Sequence, residues 1–117
     1  YTTLINTDLT NAGDQVIYWR KEGYLQVDGS ANRSTQAIEN DKWYRTVIVK
    51  NGSSSLRSYV NSVLWKEGGN PSGAVFDDVA ILLNGDNDGD DRSLQWSTVA
   101  IFDRALTNTE IAVLGGL

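Results

Sequence analysis

The C-terminal quarter of the chain constrains the fold most strongly, because a strand pattern there runs directly into a helix with both ends marked. Residues 93–102, Ser-Leu-Gln-Trp-Ser-Thr-Val-Ala-Ile-Phe, alternate residue types with a period of two, which predicts a strand. Thr107 and Glu110 have the spacing of a capping box, and Gly115 has the position of a C-terminal cap. A short helix is therefore expected between Thr107 and Gly115.

The apolar stripe of this helix is too small to form the core of a domain. It consists of Ile111 and Leu114, with Val113 partly alongside. The helix must therefore lie against a sheet that the upstream residues supply. Turn residues do divide the upstream chain into short segments of strand composition, at residues 4–5, 15–20, 24–27, 34–38, 43–50, 55–60, 63–65 and 79–83.

Two of these segments carry more specific signals. Residues 43–50 are dense in β-branched and aromatic side chains and are predicted to form a central strand. The Asn51-Gly52 pair that follows is a strong signal for a tight turn, so residues 55–60 should return antiparallel. Residues 79–83 are continuously apolar, which indicates a strand buried on both sides.

Three stretches resemble the LamG-like domains of the concanavalin A-like lectin and glucanase group. They are Trp43 to Lys50 with the Asn-Gly turn, the Tyr-Val-Asn-Ser-Val-Leu hairpin at residues 59–64, and Phe-Asp-Arg-Ala-Leu-Thr-Asn-Thr-Glu-Ile at residues 102–111. Ser62 departs from the pattern, since the family usually has glycine there. The resemblance implies one all-β domain over residues 1–117, an antiparallel jelly-roll sandwich with one short C-terminal helix.

The resemblance also implies that strands of the family that usually precede Tyr1 are missing from this chain. A sheet edge left open in this way invites a strand from another chain. If that strand came from an identical neighbour, head-to-tail repetition would build a fibre. We therefore expect protein partners, including a homo-oligomer or filament.

Charge and composition narrow the classes of partner. Fifteen acidic and ten basic residues give a net charge of −5, which disfavours nucleic acid and anionic membrane surfaces. The longest apolar runs are too short for membrane insertion. The chain has no cysteine, hence neither a disulfide nor a cysteine-based zinc site.

Catalysis is not expected. Related jelly-roll glucanases place carboxylates along one strand as Glu-x-Asp-x-x-Glu, a spacing that this sequence lacks. With neither histidine nor cysteine, the usual nucleophile and base pairs are also missing. The prediction is a domain that is not an enzyme.

The acidic loop after residue 83 is the sharpest chemical signal in the sequence. Oxygen-bearing side chains two residues apart suit a hard cation such as Ca²⁺, and Asn84, Asp86, Asp88 and Asp90 have that spacing. The closing glutamate and the second helix of an EF-hand are absent. Two interpretations stay open, a calcium site and a solvated acidic hairpin whose residues serve the turn.

Aromatic residues divide into expected core and expected surface. Trp43 and Trp96 lie inside strand patterns and are assigned to the core. Four others have polar neighbours and are candidates for stacking on a glycan: Tyr18, Trp19, Tyr24 and Trp65.

Asn32 and Asn51 begin N-glycosylation acceptor patterns, although chance alone would supply two such matches. Together these features predict a non-catalytic module of extracellular or cell-surface adhesion or assembly. The alternative is a carbohydrate-binding module of a secreted hydrolase.

Overall fold

The structure is a computed structural model that describes residues 2–6, 16–27, 30–52, 55–68, 82–83 and 95–115. Eight strands and one α-helix occur in these residues, with a 3-10 turn at Ser30–Asn32. The strands are β1 (Thr2–Asn6), β2 (Val16–Trp19), β3 (Tyr24–Val27), β4 (Arg33–Ala37), β5 (Thr46–Asn51), β6 (Ser55–Val60), β7 (Val63–Glu67) and β8 (Leu82–Leu83), and the helix is α1 (Asn108–Leu114).

The strands form two antiparallel sheets. Sheet A has the order β4-β3-β2-β1-β8, and sheet B has the order β5-β6-β7. The sequence prediction of a mostly antiparallel β-protein with one short helix is confirmed. The short β8 falls inside the predicted segment 79–83, of which residues 79–81 lie outside the described part of the chain.

Alternation along β6 explains how three layers pack together. Leu56 and Val60 point to one side of sheet B, where they join buried residues of β1, β2 and β3 in the main core. Tyr59 points to the other side, where it packs with Ile111 of α1 and with Leu106, which precedes the helix. Sheet B is therefore the middle layer, with sheet A on one face and α1 on the other.

The helix forms where the sequence predicts it. The Thr107 side chain accepts from the Glu110 backbone and the Glu110 side chain accepts from the Thr107 backbone, which completes the capping box. Gly115 is the C-cap, with φ +69°. Of the predicted stripe only Ile111 is buried, at 1% exposure, whereas Val113 and Leu114 are exposed.

The hairpin between β6 and β7 turns on two residues with positive φ. Asn61 has φ +49° and Ser62 has φ +66°, a combination typical of a type I′ turn. The turn therefore forms although serine stands where the resembling family has glycine. The Ser62 hydroxyl donates to the Ile111 carbonyl at 2.9 Å, which ties this turn to α1.

Two strand predictions need correction. The alternating composition of residues 93–102 predicted a strand. Residues 95–102 form none, since no described backbone pairs with them, and residues 93 and 94 lie outside the described part of the chain. Residues 43–50 were predicted to form a central strand, yet β5 lies at the edge of sheet B and β6 is its centre. The composition of a segment indicates how apolar a strand is, but it does not determine which strands pair with its backbone.

Candidate functional site: a groove beside strand β5

One edge of β5 is open among the described residues. The Asn61 amide donates to the Arg45 carbonyl at 2.8 Å, and the register of β5 on β6 continues from this pair. Because an antiparallel ladder bonds at alternate residues, the odd-numbered residues of β5 bond to β6. The backbone groups of Thr46 and Ile48 therefore point away from β6.

This edge borders a groove with a volume of about 1040 Å³. We call it the β5 groove. Residues 45–51 form one wall, Trp96 and residues 98–106 form the other, and Val113 and Leu114 of α1 close one side, with Leu4 and Ile17 of sheet A also in the lining.

The wall opposite β5 is apolar and exposed. In this wall Ile101 is 65% exposed and Phe102 49%, and Trp96 and Val99 are exposed as well. On the side that α1 closes, Val113 is 82% exposed and Leu114 is also exposed. Single exposed apolar residues are common on protein surfaces, but contiguous patches of them mark interaction sites. The β5 groove thus combines an apolar wall with backbone groups that have hydrogen-bonding capacity.

The charges in the lining are largely held by neighbours. The Arg45 guanidinium donates to the Gly115 carbonyl at 3.2 Å. Arg104 makes a bidentate contact with Glu110, at 2.9 and 2.6 Å. The chemistry that the groove offers is therefore mainly apolar contact and backbone pairing.

Glu110 fixes the chain where it leaves the groove. Its carboxylate accepts from Arg104 and also from the Thr107 backbone at 2.9 Å. The hydrogen bond from Arg104, followed by that from Thr107, lowers the pKa of Glu110 to about 2. The carboxylate stays ionised at neutral pH and holds the capping box together.

A second set of contacts ties α1 to sheet B. The Asn108 side-chain oxygen accepts from Arg57 at 2.7 Å and from the Tyr59 hydroxyl at 2.9 Å. The Arg57 guanidinium also lies 5.8 Å from the centre of the Tyr59 ring. The position of the groove wall therefore depends on sheet B as well as on the helix cap.

The structure reverses the sequence assignment of the aromatic residues. Trp43 and Trp96 were assigned to the core but are 53% and 39% exposed. Tyr18 and Trp19 were candidates for glycan contact but are buried, at 7% and 6%. Trp65 is half-buried and packs edge-on to Trp19 with ring centres 6.1 Å apart.

Two physical reasons account for this reversal. Trp19 on β2 points into the space between the sheets, where its large apolar surface gains most from burial. Trp96 lies in a segment that forms no described ladder, so its alternation does not place it inside. Tyr24 is half-buried, with the Arg33 guanidinium 5.6 Å from its ring centre.

The two glycosylation candidates differ in exposure. Asn32 is 2% exposed, and its side-chain oxygen has no partner in the structure. This burial leaves no room for an attached oligosaccharide in the folded state, which corrects the expectation of a surface position. Asn51 is exposed at the end of β5, and its glycosylation stays a prediction.

The predicted calcium ligands Asn84, Asp86, Asp88 and Asp90 lie outside the described residues, so the calcium site stays a prediction. Within the described ranges, no three carboxylates, histidines or cysteines are grouped as metal ligands. The helix in this part of the chain is too short to cross a bilayer.

Sequence reasoning missed the main residues of the β5 groove. Ile101, Phe102 and Val113 were assigned to a strand or to the helix stripe, and β5 was placed in the sheet centre. The sequence feature that could best have indicated the groove is the position of Val113. Val113 does not lie on the helix face that Ile111 buries, so its side chain can be exposed to solvent.

Two antiparallel sheets and one terminal helix, with an open groove beside β5, define a β-sandwich. Comparison with protein families agrees with this architecture. The chain belongs to the concanavalin A-like lectin/glucanases superfamily, since a laminin G family model of that superfamily matches residues 4–112. Searches of curated proteins and of solved structures gave no match.

Proposed function

We propose that the domain is a non-catalytic recognition and assembly module that binds an extended segment of another polypeptide chain in the β5 groove. The observation that carries this proposal is the open edge of β5 facing an exposed apolar wall. An added strand would pair with backbone groups such as those of Thr46 and Ile48. Its alternate side chains would cover the apolar wall.

The length of the edge suits such a ligand. β5 has six residues, which correspond to about 20 Å of extended chain. Main-chain hydrogen bonds in this mode give affinity, and the side-chain pockets between strands give selectivity. A strand donated by an identical neighbour would extend the array, so the proposal includes a role in filament or surface assembly outside the cell.

A proline at the open edge tests the proposal. Thr46→Pro removes an amide that points to the groove and leaves the bonds from β5 to β6 in place. Val47→Pro is the matched control, because Val47 donates to β6 and the change should destabilise the fold. We expect Thr46→Pro to remain folded by circular dichroism.

The readouts are self-association and strand capture. In sedimentation velocity, the wild type should form oligomers that grow with concentration, and Thr46→Pro and Ile101→Lys should remain monomeric. A wild type that stays monomeric rejects completion by a neighbour. If a displayed library of extended peptides then also yields no binder that depends on Thr46, the whole proposal is rejected.

Glycan binding is the second candidate function, and the 53% exposure of Trp43 favours it. An exposed indole ring can stack on the apolar face of a sugar. Binding on an oligosaccharide array that is lost in Trp43→Ala and kept in Ile101→Lys would support this function. Loss in Ile101→Lys alone would assign the glycan to the β5 groove.

We also propose that the acidic loop binds calcium through Asn84, Asp86, Asp88 and Asp90. The spacing of these oxygen-bearing side chains supports the proposal. Calcium should raise the melting temperature, because a ligand that binds only the folded state stabilises it. The double variant Asp86→Ala/Asp88→Ala should abolish the increase, and an unchanged melting curve with and without chelator would reject the site.

A further inference from the structure

Asn51 is an exposed asparagine that is followed directly by glycine. It is the last residue of β5, is exposed, and lines the end of the β5 groove. Gly52 follows with φ +64°, and no described residue other than its chain neighbour Asn51 has an atom within 4 Å of the point where a β-carbon would stand. Because Gly52 has no β-carbon, no side chain of residue 52 obstructs the approach to its backbone nitrogen.

We propose that Asn51 is a site of spontaneous deamidation and isoaspartate formation. The Gly52 backbone nitrogen loses its proton and attacks the side-chain carbonyl carbon of Asn51. The new carbon–nitrogen bond closes a five-membered succinimide, and the bond to the amide nitrogen breaks so that ammonia leaves. Water then opens the ring at either carbonyl, which gives aspartate or isoaspartate.

The residue after asparagine controls this reaction, because a β-carbon there obstructs the ring and restricts the backbone. Glycine with positive φ at an open loop is the least obstructed case. Water is the only co-reactant, and no oxidant or reductant takes part. The reaction goes beyond the proposed function and does not depend on it.

Asn61 provides an internal comparison within the same sheet. It occupies a tight turn and, unlike Asn51, itself has positive φ, and its side-chain oxygen accepts from the Arg45 amide at 2.9 Å. Its successor, Ser62, carries a β-carbon and is tied to the Ile111 carbonyl. Asn61 should therefore resist the reaction that Asn51 undergoes.

The product changes both charge and backbone at the groove. Either product adds one negative charge, which takes the net charge from −5 to −6. Isoaspartate also inserts one carbon into the backbone between β5 and its turn, next to the Asn51–Ser55 pair of the ladder. The expected weakening of strand capture rests on the proposed function, whereas the chemistry does not.

Peptide mapping by mass spectrometry tests the site. Unglycosylated protein is incubated in mildly alkaline buffer and sampled over time, with a synthetic peptide of residues 47–56 in parallel. Mapping must separate Asn51 from Asn84, which also precedes glycine. We expect acid products at Asn51, with isoaspartate in excess, and an intact Asn61.

Two variants complete the experiment. Asn51→Gln keeps the amide but requires a larger ring, and Gly52→Ala adds the β-carbon, so the isoaspartyl peptide should be lost in the first and reduced in the second. An intact Asn51 in the folded protein while the free peptide converts would overturn the proposal. Equal conversion at Asn61 would overturn it as well. Strand capture by Asn51→Asp is scored separately, so its outcome bears only on the groove.

Discussion

Glu110 shows how one side chain can join two parts of the chain at the residue scale. It closes the capping box with Thr107 and pairs with Arg104 at the end of the groove wall. Its folded pKa is about 2, below the ordinary value of 4.5. The contribution of its charge to stability is therefore full above pH 4.5 and is lost as the pH falls toward 2.

The variant Glu110→Gln tests this pH dependence. Glutamine can still accept from the Thr107 backbone but cannot form the ion pair with Arg104. The melting temperature of the wild type should exceed that of the variant at neutral pH, and the difference should shrink between pH 4.5 and 2. A difference that is constant across this range would contradict the assignment.

Gly23 is a second position where the stability of the fold depends on a single atom, the β-carbon that glycine lacks. Its φ is +84°, and an added β-carbon would lie 2.7 Å from the Ile38 carbonyl oxygen. We expect Gly23→Ala to lower the free energy of unfolding by about 2 kcal/mol or more, from backbone strain and the clash together. Urea unfolding with an unchanged slope would measure this loss.

Gly52→Ala is the matched control for Gly23→Ala. Gly52 also has positive φ, but no described residue beyond its chain neighbour lies near the added carbon, so only the strain of about 1 kcal/mol should appear. Equal losses in the two variants would show that the contact with Ile38 has no energetic role.

Local sequence rules correctly predicted the capping residues of the helix, but they did not predict which tryptophans are buried. Thr107, Glu110 and Gly115 act through backbone groups within one turn, so their roles can be seen in the sequence. The burial of Trp19 and the exposure of Trp96 depend on which sheet faces each ring. That information lies in long-range pairing, which alternation alone does not contain.

At the scale of elements, the β6–β7 hairpin is held by its turn and by α1 together. The positive φ of Ser62 strains its backbone, but its hydroxyl donates a hydrogen bond to the Ile111 carbonyl. Ser62→Ala should lose that bond and keep the strain, at a cost of about 1 kcal/mol. Ser62→Gly loses the same bond but relieves a strain of about 1 kcal/mol, so it should be close to the wild type.

The comparison of these two variants by urea unfolding isolates the turn. Glycine should exceed alanine in stability by about 1 kcal/mol. If alanine were equal to glycine, the positive φ at Ser62 would carry no cost, and the type I′ turn would need another explanation.

The sequence predicted hairpins more reliably than it predicted sheet order. Residues 55–60 were predicted with the bounds that β6 has, because Asn51-Gly52 and Asn61-Ser62 mark its ends. Residues 95–102 have strand composition but no described ladder. A strand exists only where a partner backbone is in reach, and the sequence of one segment does not reveal that partner.

At the scale of the whole molecule, the three layers explain why the groove is placed beside β5. Among the described residues, sheet B packs against sheet A on one face and against α1 on the other, and β5 is one of its two edge strands. The fold and its family follow from sequence patterns and from the match over residues 4–112. The groove could not be predicted from the sequence. It forms because residues 45–51 and residues 98–106, about 50 positions apart, do not pair, and no local sequence pattern encodes that.

Residue-resolved hydrogen exchange by NMR tests the open edge of β5 most directly. The amides of Val47 and Val49 bond to β6 and should be protected. The amides of Thr46 and Ile48 point to the groove, so they should exchange much faster in the free protein and slow when a strand is captured. Equal and strong protection of all four amides in the free, monomeric protein would show that the edge is already paired and would contradict the account.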